Sequence, residues 1–328
     1  MPEHGGNLRD AMRRYGRSDW IDLSAGLNPV WYPAPVLAGN AWHRLPEPDP
    51  ALVDAACAYY GAHRMLPVAG TQAAIQALPR LRAPSRVVIA APSYAEHAHH
   101  WAQHGHSATQ VPYAGLAAAV DGCDVLVVCN PNNPTGATVP RAQLLAWATT
   151  LAQRGGWLVV DEAFADTDGA QSVADCADQP ALIVLRSVGK FFGLAGIRLG
   201  FVAAQPDLLA ALDELLGPWQ VSGPAQQVGK AALFDRPWQR TTRDRLLHDG
   251  RRLAQLLAAH GIESAGTALF QWWPEREPER FHEHMARRGI WVRLFRDGPR
   301  GIRVGLPPDE AAWARLELAL NEWTKESR

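Results

Sequence analysis

Hydrophobic positions between residues 51 and 203 form short, nearly continuous apolar runs, separated by segments in which apolar residues recur at helical spacing. The predicted strands are Arg86–Ala90, Asp124–Cys129, Trp157–Val160, Ala181–Leu185 and Leu199–Ala203. The predicted helices among them include Ala51–Tyr60, Thr71–Leu78 and Arg141–Gln153. Strands that are apolar along their whole length and alternate with helices are typical of a mostly parallel α/β sheet.

From about Pro224 the pattern changes to that of a smaller α+β unit. The predicted elements there are helices Trp238–His260, Glu279–Arg288 and Asp309–Trp323, and strands Ala268–Trp273, Gly289–Leu294 and Gly301–Gly305. The segment Pro29–Pro50 is rich in Pro and Trp and cannot form a regular helix, so we expect an extended arm. We therefore predict an N-terminal arm (1–45), a large domain (46–222) and a small C-terminal domain (223–328).

Composition excludes several classes of protein. The chain has 328 residues, 47% hydrophobic, and 32 basic residues against 33 acidic ones give a net charge of −1. This charge argues against a nucleic-acid surface or a polybasic membrane anchor. The sequence has neither a signal-peptide pattern nor an apolar run of about 18 residues, so no membrane span is predicted. Its four cysteines form no CxxC pair. We therefore expect a soluble, cytoplasmic enzyme.

Polar and aromatic side chains follow four of the predicted strands directly. Tyr94 follows the first strand, Asn133 the second, Asp161 the third and Lys190 the fourth. In an open parallel sheet, ligands bind beyond the carboxyl ends of the strands. An aromatic ring, an amide, a carboxylate and an amine at one sheet edge suit a flat, polar, phosphorylated heterocycle.

Four motifs in the same region carry a family resemblance. They are NPNNPTG (130–136), DEAF (161–164), SVGK (187–190) and GIRLG (196–200), in that order along the chain. This ordered set resembles the fold-type I pyridoxal-phosphate enzymes of the class I/II aminotransferase family. The resemblance implies a pyridoxal 5'-phosphate cofactor, a large domain with a mostly parallel sheet, a smaller C-terminal domain and a homodimer. In such a dimer, the arm packs on the small domain and on the partner subunit.

The resemblance also implies a role for each motif residue. Lys190 is the amine that bonds to the cofactor aldehyde, and Asp161 faces the pyridine nitrogen and keeps it protonated. Asn133 donates to the phenolic oxygen, and Tyr94 stacks on the ring. The residues expected around the cofactor phosphate are Gly70, Thr71, Gln72, Ser187 and Arg198.

The N-terminal sequence narrows the resemblance. His4-Gly5-Gly6-Asn7 and the segment from Ile21 to Pro29 resemble the opening of L-threonine-O-3-phosphate decarboxylases of cobalamin biosynthesis. The implied reaction is decarboxylation of L-threonine O-3-phosphate to (R)-1-amino-2-propanol phosphate. The implied substrate-binding residues are His4, Asn28, Arg293 and Arg303. Two arginines suit a small molecule that carries both a carboxylate and a phosphate.

Three positions depart from the common family pattern. Phe164 stands where many members have a tyrosine that bonds the ring oxygen, and Leu45 precedes Pro46 where many have tyrosine. Gln72 occupies a position where small hydroxyl residues are common.

Two other functions stay open on the sequence alone. One is an aminotransferase acting on a phosphorylated substrate such as histidinol phosphate, and the other is a non-catalytic relative that keeps the fold. A histidine cluster, His97 to His106, raises the question of a metal. We interpret it as an exposed polar face and predict no metal, because no carboxylate or cysteine joins the histidines at ligand spacing.

Overall fold

The computed structural model describes residues 5–296 and 300–326. No helix in these two ranges is long and apolar enough to cross a bilayer. The strands are β1 (Ile21–Asp22), β2 (Leu66–Val68), β3 (Arg86–Ala91), β4 (Ser107–Pro112), β5 (Val125–Cys129), β6 (Trp157–Asp161), β7 (Leu182–Ser187), β8 (Gly200–Ala203), β9 (Ala265–Thr267), β10 (Phe270–Pro274), β11 (Ile290–Trp291), β12 (Arg293–Phe295) and β13 (Gly301–Gly305). The α-helices are α1 (Leu8–Tyr15), α2 (Asn40–His43), α3 (Pro50–Tyr60), α4 (Thr71–Ala77), α5 (Ala95–Gln103), α6 (Leu116–Ala119), α7 (Arg141–Ala152), α8 (Pro206–Leu216), α9 (Gly223–Phe234), α10 (Arg236–Ala259), α11 (Pro278–Arg287) and α12 (Glu310–Glu326).

The chain forms two compact units. The larger unit comprises Trp31–Asn133 and Ala137–Thr241, and the smaller comprises Met1–Val30, Pro134–Gly136 and Thr242–Arg328. The ranges 1–45, 46–222 and 223–328 given above stay a prediction about domain organisation.

The larger unit is built on a seven-stranded sheet in the order β2-β8-β7-β6-β5-β3-β4. Strands β4, β3, β5, β6 and β7 run parallel, whereas β8 is antiparallel to β7 and β2 antiparallel to β8. Every residue of β5 is buried, as expected for a strand whose two faces are both covered by helices. The predicted mostly parallel sheet is therefore confirmed.

The strand register brings the candidate chemistry to one edge. Cys129, the last residue of β5, pairs with Asp161, the last residue of β6. In the neighbouring pair, Asp161 lies opposite Leu185 of β7. The segments that follow these strands therefore leave the sheet side by side, although about 30 residues separate the ends of successive strands along the chain.

Two strands of this sheet were not predicted from the sequence. β4 is an edge strand with the sequence SATQVP, in which every residue is exposed or half-buried. An edge strand covers little core and needs no apolar run, so hydrophobic patterning does not detect it. β2 is only three residues long and contains Pro67, and it lies at the opposite edge.

The smaller unit contains an antiparallel sheet in the order β12-β13-β10-β9 and a short parallel pair, β1 with β11. The predicted strand Gly289–Leu294 is divided at Val292 into β11 and β12, which belong to different sheets. Trp291 of β11 packs edge-on against Trp20 and His282, with ring centroids 5.7 and 4.5 Å away. This aromatic cluster joins the chain's N-terminal segment to α11.

A buried ion network supports the ends of β6 and β7. Arg186 donates to Glu162 Oε2 at 2.6 Å and to Asp166 Oδ1 at 3.0 Å, and all three side chains are nearly inaccessible. The guanidinium also lies 4.4 Å from the ring centroid of Tyr60. Arg186 thus pairs with two carboxylates in a region where all three side chains are nearly inaccessible.

We expect Arg186→Met to lower the free energy of unfolding by about 3–5 kcal/mol, because it leaves Glu162 and Asp166 buried without a counter-charge. Urea unfolding of the variant measures this loss. Arg64→Met is the matched control, because Arg64 pairs with Asp178 on the surface, where ion pairs contribute little. Equal stability of the two variants would contradict the role assigned to the network.

Candidate active site

A cleft with about 710 Å³ of open space lies at the carboxyl ends of β5, β6 and β7 in the larger unit. All nine residues predicted to bind the cofactor line it: Gly70, Thr71, Gln72, Tyr94, Asn133, Asp161, Ser187, Lys190 and Arg198. The structure therefore brings together residues that span 129 positions of the sequence, from 70 to 198.

Lys190 lies in the turn after β7, with its Nζ 5.4 Å from the ring centroid of Phe164. Phe164 is buried, with 5% of its surface exposed, and it also lines the cleft. Ser187, the last residue of β7, accepts a hydrogen bond from the amide of Gly189 at 3.1 Å, which shapes the turn that carries the lysine. An amine beside an aromatic face and at the edge of a cleft is accessible to a ligand carbonyl.

Asp161 is held by a buried histidine that sequence reasoning missed as a site residue. His97 Nε2 lies 3.0 Å from Asp161 Oδ2, and 2% and 6% of the two side chains are exposed. Burial by itself lowers the pKa of His97, but hydrogen bonds to Asp161 and Cys129 and their negative charge raise it to about 10. Asp161 Oδ1 also accepts from the amide of Ala163 at 3.0 Å. The carboxylate is therefore oriented toward the cleft and paired from behind with a cation.

The interpretation of the histidine cluster as an exposed polar face is wrong for three of its five members. His97 and His100 of α5 are buried, and so is His106, which precedes β4, whereas His104 is exposed. A cysteine and a carboxylate do join His97, since ligand atoms of His97, Cys129 and Asp161 lie within 4.8 Å of one another. Cys129 and Asp161 lie at the ends of β5 and β6 and are therefore remote from His97 in the sequence. Tyr94 and His97 are three residues apart and therefore lie on one face of a helix. This spacing is the sequence signal that could have placed His97 beside the predicted site.

Glycines make room for a guanidinium at the other end of the cleft. Gly70 has φ = 74°, and a Cβ there would lie 2.6 Å from Arg198 Nη2. Arg198 itself adopts a left-handed conformation, with φ = 54°, which is uncommon for a non-glycine residue. A Cβ on Gly200 would lie 2.7 Å from the amide of Thr71. Amides, hydroxyls and a guanidinium in such close contact form a suitable site for a phosphate.

The predicted substrate-binding arginines lie in the smaller unit, on paired positions of β12 and β13. Arg293 and Arg303 are directly opposite each other in the register. Arg303 is 5% exposed and donates to the carbonyl oxygen of Ser24 at 2.6 Å. Burial and, after it, the charge of Arg293 lower the pKa of Arg303 to about 9. Two guanidinium groups that repel each other in this way favour a bound anion.

Asn28 is buried, and its Oδ1 accepts from Arg245 at 2.7 Å and from the amide of Val30 at 3.0 Å. The structure thus gives the Asn28 oxygen a role in holding the local chain. His4 lies outside the described residues.

A second, basic pocket in the smaller unit was not predicted as a whole. It has about 770 Å³ of open space, and Arg14, Arg293 and Arg296 line it together with His282. Burial first, and then the charges of Arg296 and Arg14, lower the pKa of His282 to about 4. His282 is therefore neutral at physiological pH, while the arginines keep the pocket positive.

Residues 19–308 match the family described as aminotransferase class I and II. The chain belongs to the class I/II aminotransferase family. Among its relatives, a threonine-phosphate decarboxylase from Pseudomonas aeruginosa is 53% identical over 323 residues, which cover 98% of this chain and 97% of the relative. One from a Sinorhizobium species is 42% identical over 328 residues and 97% of each chain.

Among solved structures, histidinol-phosphate aminotransferase from Sinorhizobium meliloti, in complex with pyridoxal-5'-phosphate, superposes with a TM-score of 0.85. The match covers 100% of this chain and 96% of that one, at 23% identity. This likeness shows the fold that the sequence motifs predict.

The structure describes all three positions at which the chain departs from the common family pattern. Phe164 brings an apolar ring to the cleft, and Gln72 lines the same cleft. Leu45 is 65% exposed on the Pro- and Trp-rich segment.

The His97–Asp161 pair predicts how stability depends on pH. The pKa of His97 is raised to about 10 in the folded chain, against an ordinary value near 6.5, so folding retains a proton that the unfolded chain releases. The stabilisation is complete below about pH 6.5 and is lost as the pH rises through about 10. We expect the difference in free energy of unfolding between the wild type and His97→Asn to shrink between pH 6 and pH 10.

Urea unfolding at several pH values measures this difference. His43→Asn is the control, since His43 is exposed. A difference between the wild type and His97→Asn that is independent of pH would contradict a charged His97.

Proposed function

We propose that this chain is a pyridoxal-phosphate-dependent decarboxylase that converts L-threonine O-3-phosphate to (R)-1-amino-2-propanol phosphate and CO₂ in cobalamin biosynthesis. The observation that carries the proposal is the 53% identity, over nearly the whole of both chains, to a relative named threonine-phosphate decarboxylase. The 42% identity to a second relative of that name supports it. The family's lysine, aspartate and arginine are all present in the cleft.

The residues of the cleft fit pyridoxal 5'-phosphate. Lys190 offers an amine for the aldehyde, and the buried Asp161 offers a carboxylate for the ring nitrogen. Ser187, Thr71 and Arg198 offer donors for the phosphate, in a cradle that a Cβ on Gly70 would fill. When bound, the cofactor supplies an electron-accepting ring that stabilises negative charge on the substrate carbon next to the amine.

Asp161 and Lys190 perform complementary proton chemistry in this proposal. Asp161, paired with His97, holds a proton on the ring nitrogen, because a buried negative charge stabilises a nearby cation. Lys190, whose Nζ lies 5.4 Å from the Phe164 ring centroid, would bond to the aldehyde through its uncharged amine. In its protonated form it would later donate a proton to the carbon that has lost CO₂.

Arg293 and Arg303 are the proposed ligands of the substrate's anionic groups, together with His4 and Asn28. A carboxylate and a phosphate on one small molecule carry at least two negative charges, and the close pair of guanidiniums is complementary to them. Arg14 and Arg296 add positive charge around Arg293. All four of these arginines belong to the smaller unit.

The proposed assembly is a homodimer in the cytoplasm. The Pro- and Trp-rich segment exposes five large apolar side chains: Val30 at 46%, Trp31 at 67%, Val36 at 102%, Trp42 at 70% and Leu45 at 65%. A second copy of the chain would bury this surface. Cys57, Cys123, Cys129 and Cys176 are free thiols, as in proteins of a reducing compartment.

Incubation of the purified chain with pyridoxal phosphate and L-threonine O-3-phosphate, without a 2-oxoacid, tests the reaction. We expect steady release of CO₂ over many turnovers. Lys190→Ala should lower the rate by more than about a thousandfold, because the amine is needed in every turnover. If no CO₂ appears and the cofactor is converted once per site to its amine form, the protein is an aminotransferase and the proposal fails.

Arg293→Gln tests the substrate site. Loss of a charge-assisted contact to the substrate should raise the KM for L-threonine O-3-phosphate by about 10- to 150-fold, with a smaller change in kcat. Steady-state kinetics of CO₂ release measures both constants. Arg251→Gln, on an exposed face of α10, is the matched control. A KM that is the same in both variants would remove Arg293 from the site.

A further inference from the structure

Gln72 was predicted to lie around the cofactor phosphate, but its side chain is hydrogen-bonded to two residues near the start of α5. Its Nε2 donates to Glu96 Oε2 at 2.6 Å. Its Oε1 accepts from the hydroxyl of Tyr94 at 3.2 Å. The amide thus joins the start of α4 to the start of α5, and it does so beside the cleft.

Glu96 determines which way the amide points. Glu96 is 6% exposed and lies 3.0 Å from His100 Nε2, one helical turn along α5. A carboxylate accepts hydrogen bonds and donates none, so it takes the nitrogen end of the Gln72 amide. The oxygen end is then directed to Tyr94. The Glu96–His100 pair is therefore an anchor for the amide.

Tyr94 is constrained at both ends of its ring. Its backbone lies at the N-terminus of α5, directly after β3, and its hydroxyl donates to Gln72. Its ring meets His97 edge-on, with centroids 6.1 Å apart and planes at 83°. Burial first, and then the charges of Glu96 and Asp161, raise the pKa of Tyr94 above its ordinary value, so the hydroxyl remains a donor.

We propose that Gln72 is a positioning residue that sets the plane of the Tyr94 ring through the Tyr94 hydroxyl, with Glu96 and His100 as the anchor. The ring is then held in advance in the orientation needed to stack on the flat heterocycle. A preset ring loses little conformational entropy when the cofactor binds. This inference rests on the proposed cofactor site and is independent of the reaction catalysed there.

A double-mutant cycle tests the inference in the full chain. The variants are Gln72→Met, Tyr94→Phe and the double variant, because methionine keeps the length of glutamine and phenylalanine keeps the ring. The measurements are the dissociation constant of pyridoxal phosphate and the visible circular dichroism of the bound cofactor, which reports the asymmetry of its surroundings. Gln76→Met, on the exposed side of the same helix, is the matched control.

Each single variant should weaken cofactor binding by about 2- to 12-fold, the range for one hydrogen bond, and lower the visible dichroism. The double variant should behave like Tyr94→Phe alone, because Gln72 acts only through the hydroxyl. Glu96→Gln is the second test, since it removes the group that orients the amide. Its effect should likewise disappear in the Tyr94→Phe background.

If Gln72→Met and Tyr94→Phe have multiplicative effects on the dissociation constant, Gln72 acts directly on the cofactor and the inference is overturned. Unchanged dichroism in Gln72→Met would overturn it as well. A wild-type chain that binds no pyridoxal phosphate would overturn the proposed function together with the inference. Thermal unfolding of the cofactor-free variants separates these outcomes from a general loss of structure.

Discussion

The contact between His97 and Asp161 is the interaction on which the chemistry proposed for the larger unit depends. A carboxylate buried at the end of a parallel strand needs a partner, because it has lost its water. His97 Nε2, 3.0 Å away, supplies that partner, and hydrogen bonding to Asp161 contributes to raising the pKa of His97. The Asp161 carboxylate is thereby held at the cleft that its strand opens into.

Residues that are adjacent in the sequence have different surroundings: one lines the cleft, and the next belongs to the buried ion network. Successive side chains at the end of a strand point in opposite directions, so Asp161 lines the cleft while Glu162 binds Arg186 in the interior. The same alternation places Ser187 on the cleft and Arg186 below it. The buried network and the polar cleft therefore use adjacent positions on the same two strands. A substitution in the network would therefore be expected to displace the adjacent side chains that line the cleft.

The antiparallel sheet of the smaller unit holds two arginines at paired positions. Antiparallel pairing places Arg293 opposite Arg303, and burial lowers the pKa of Arg303 to about 9. A bound anion would relieve the repulsion between the two guanidiniums. Arg293 also lines the basic pocket with Arg14 and Arg296, and their charge would favour an anionic ligand. The decarboxylase proposal uses this feature for a substrate that carries two anionic groups.

Local sequence patterns were enough to predict the fold class and the residues that line the cleft. Continuous apolar strands with polar residues at their ends are a local pattern, so β3, β5, β6 and β7 and the residues after them were predictable. The partners of these residues depend on packing between distant segments, which a local pattern does not contain. His97 was misread because a helical histidine gives no sign of what it packs against, and Asp161 is 64 residues away. The edge strand β4 escaped prediction because it buries too little apolar surface to leave a pattern. The direction of the Gln72 amide depends on Glu96 and His100, which only the packing of α4 against α5 brings within reach.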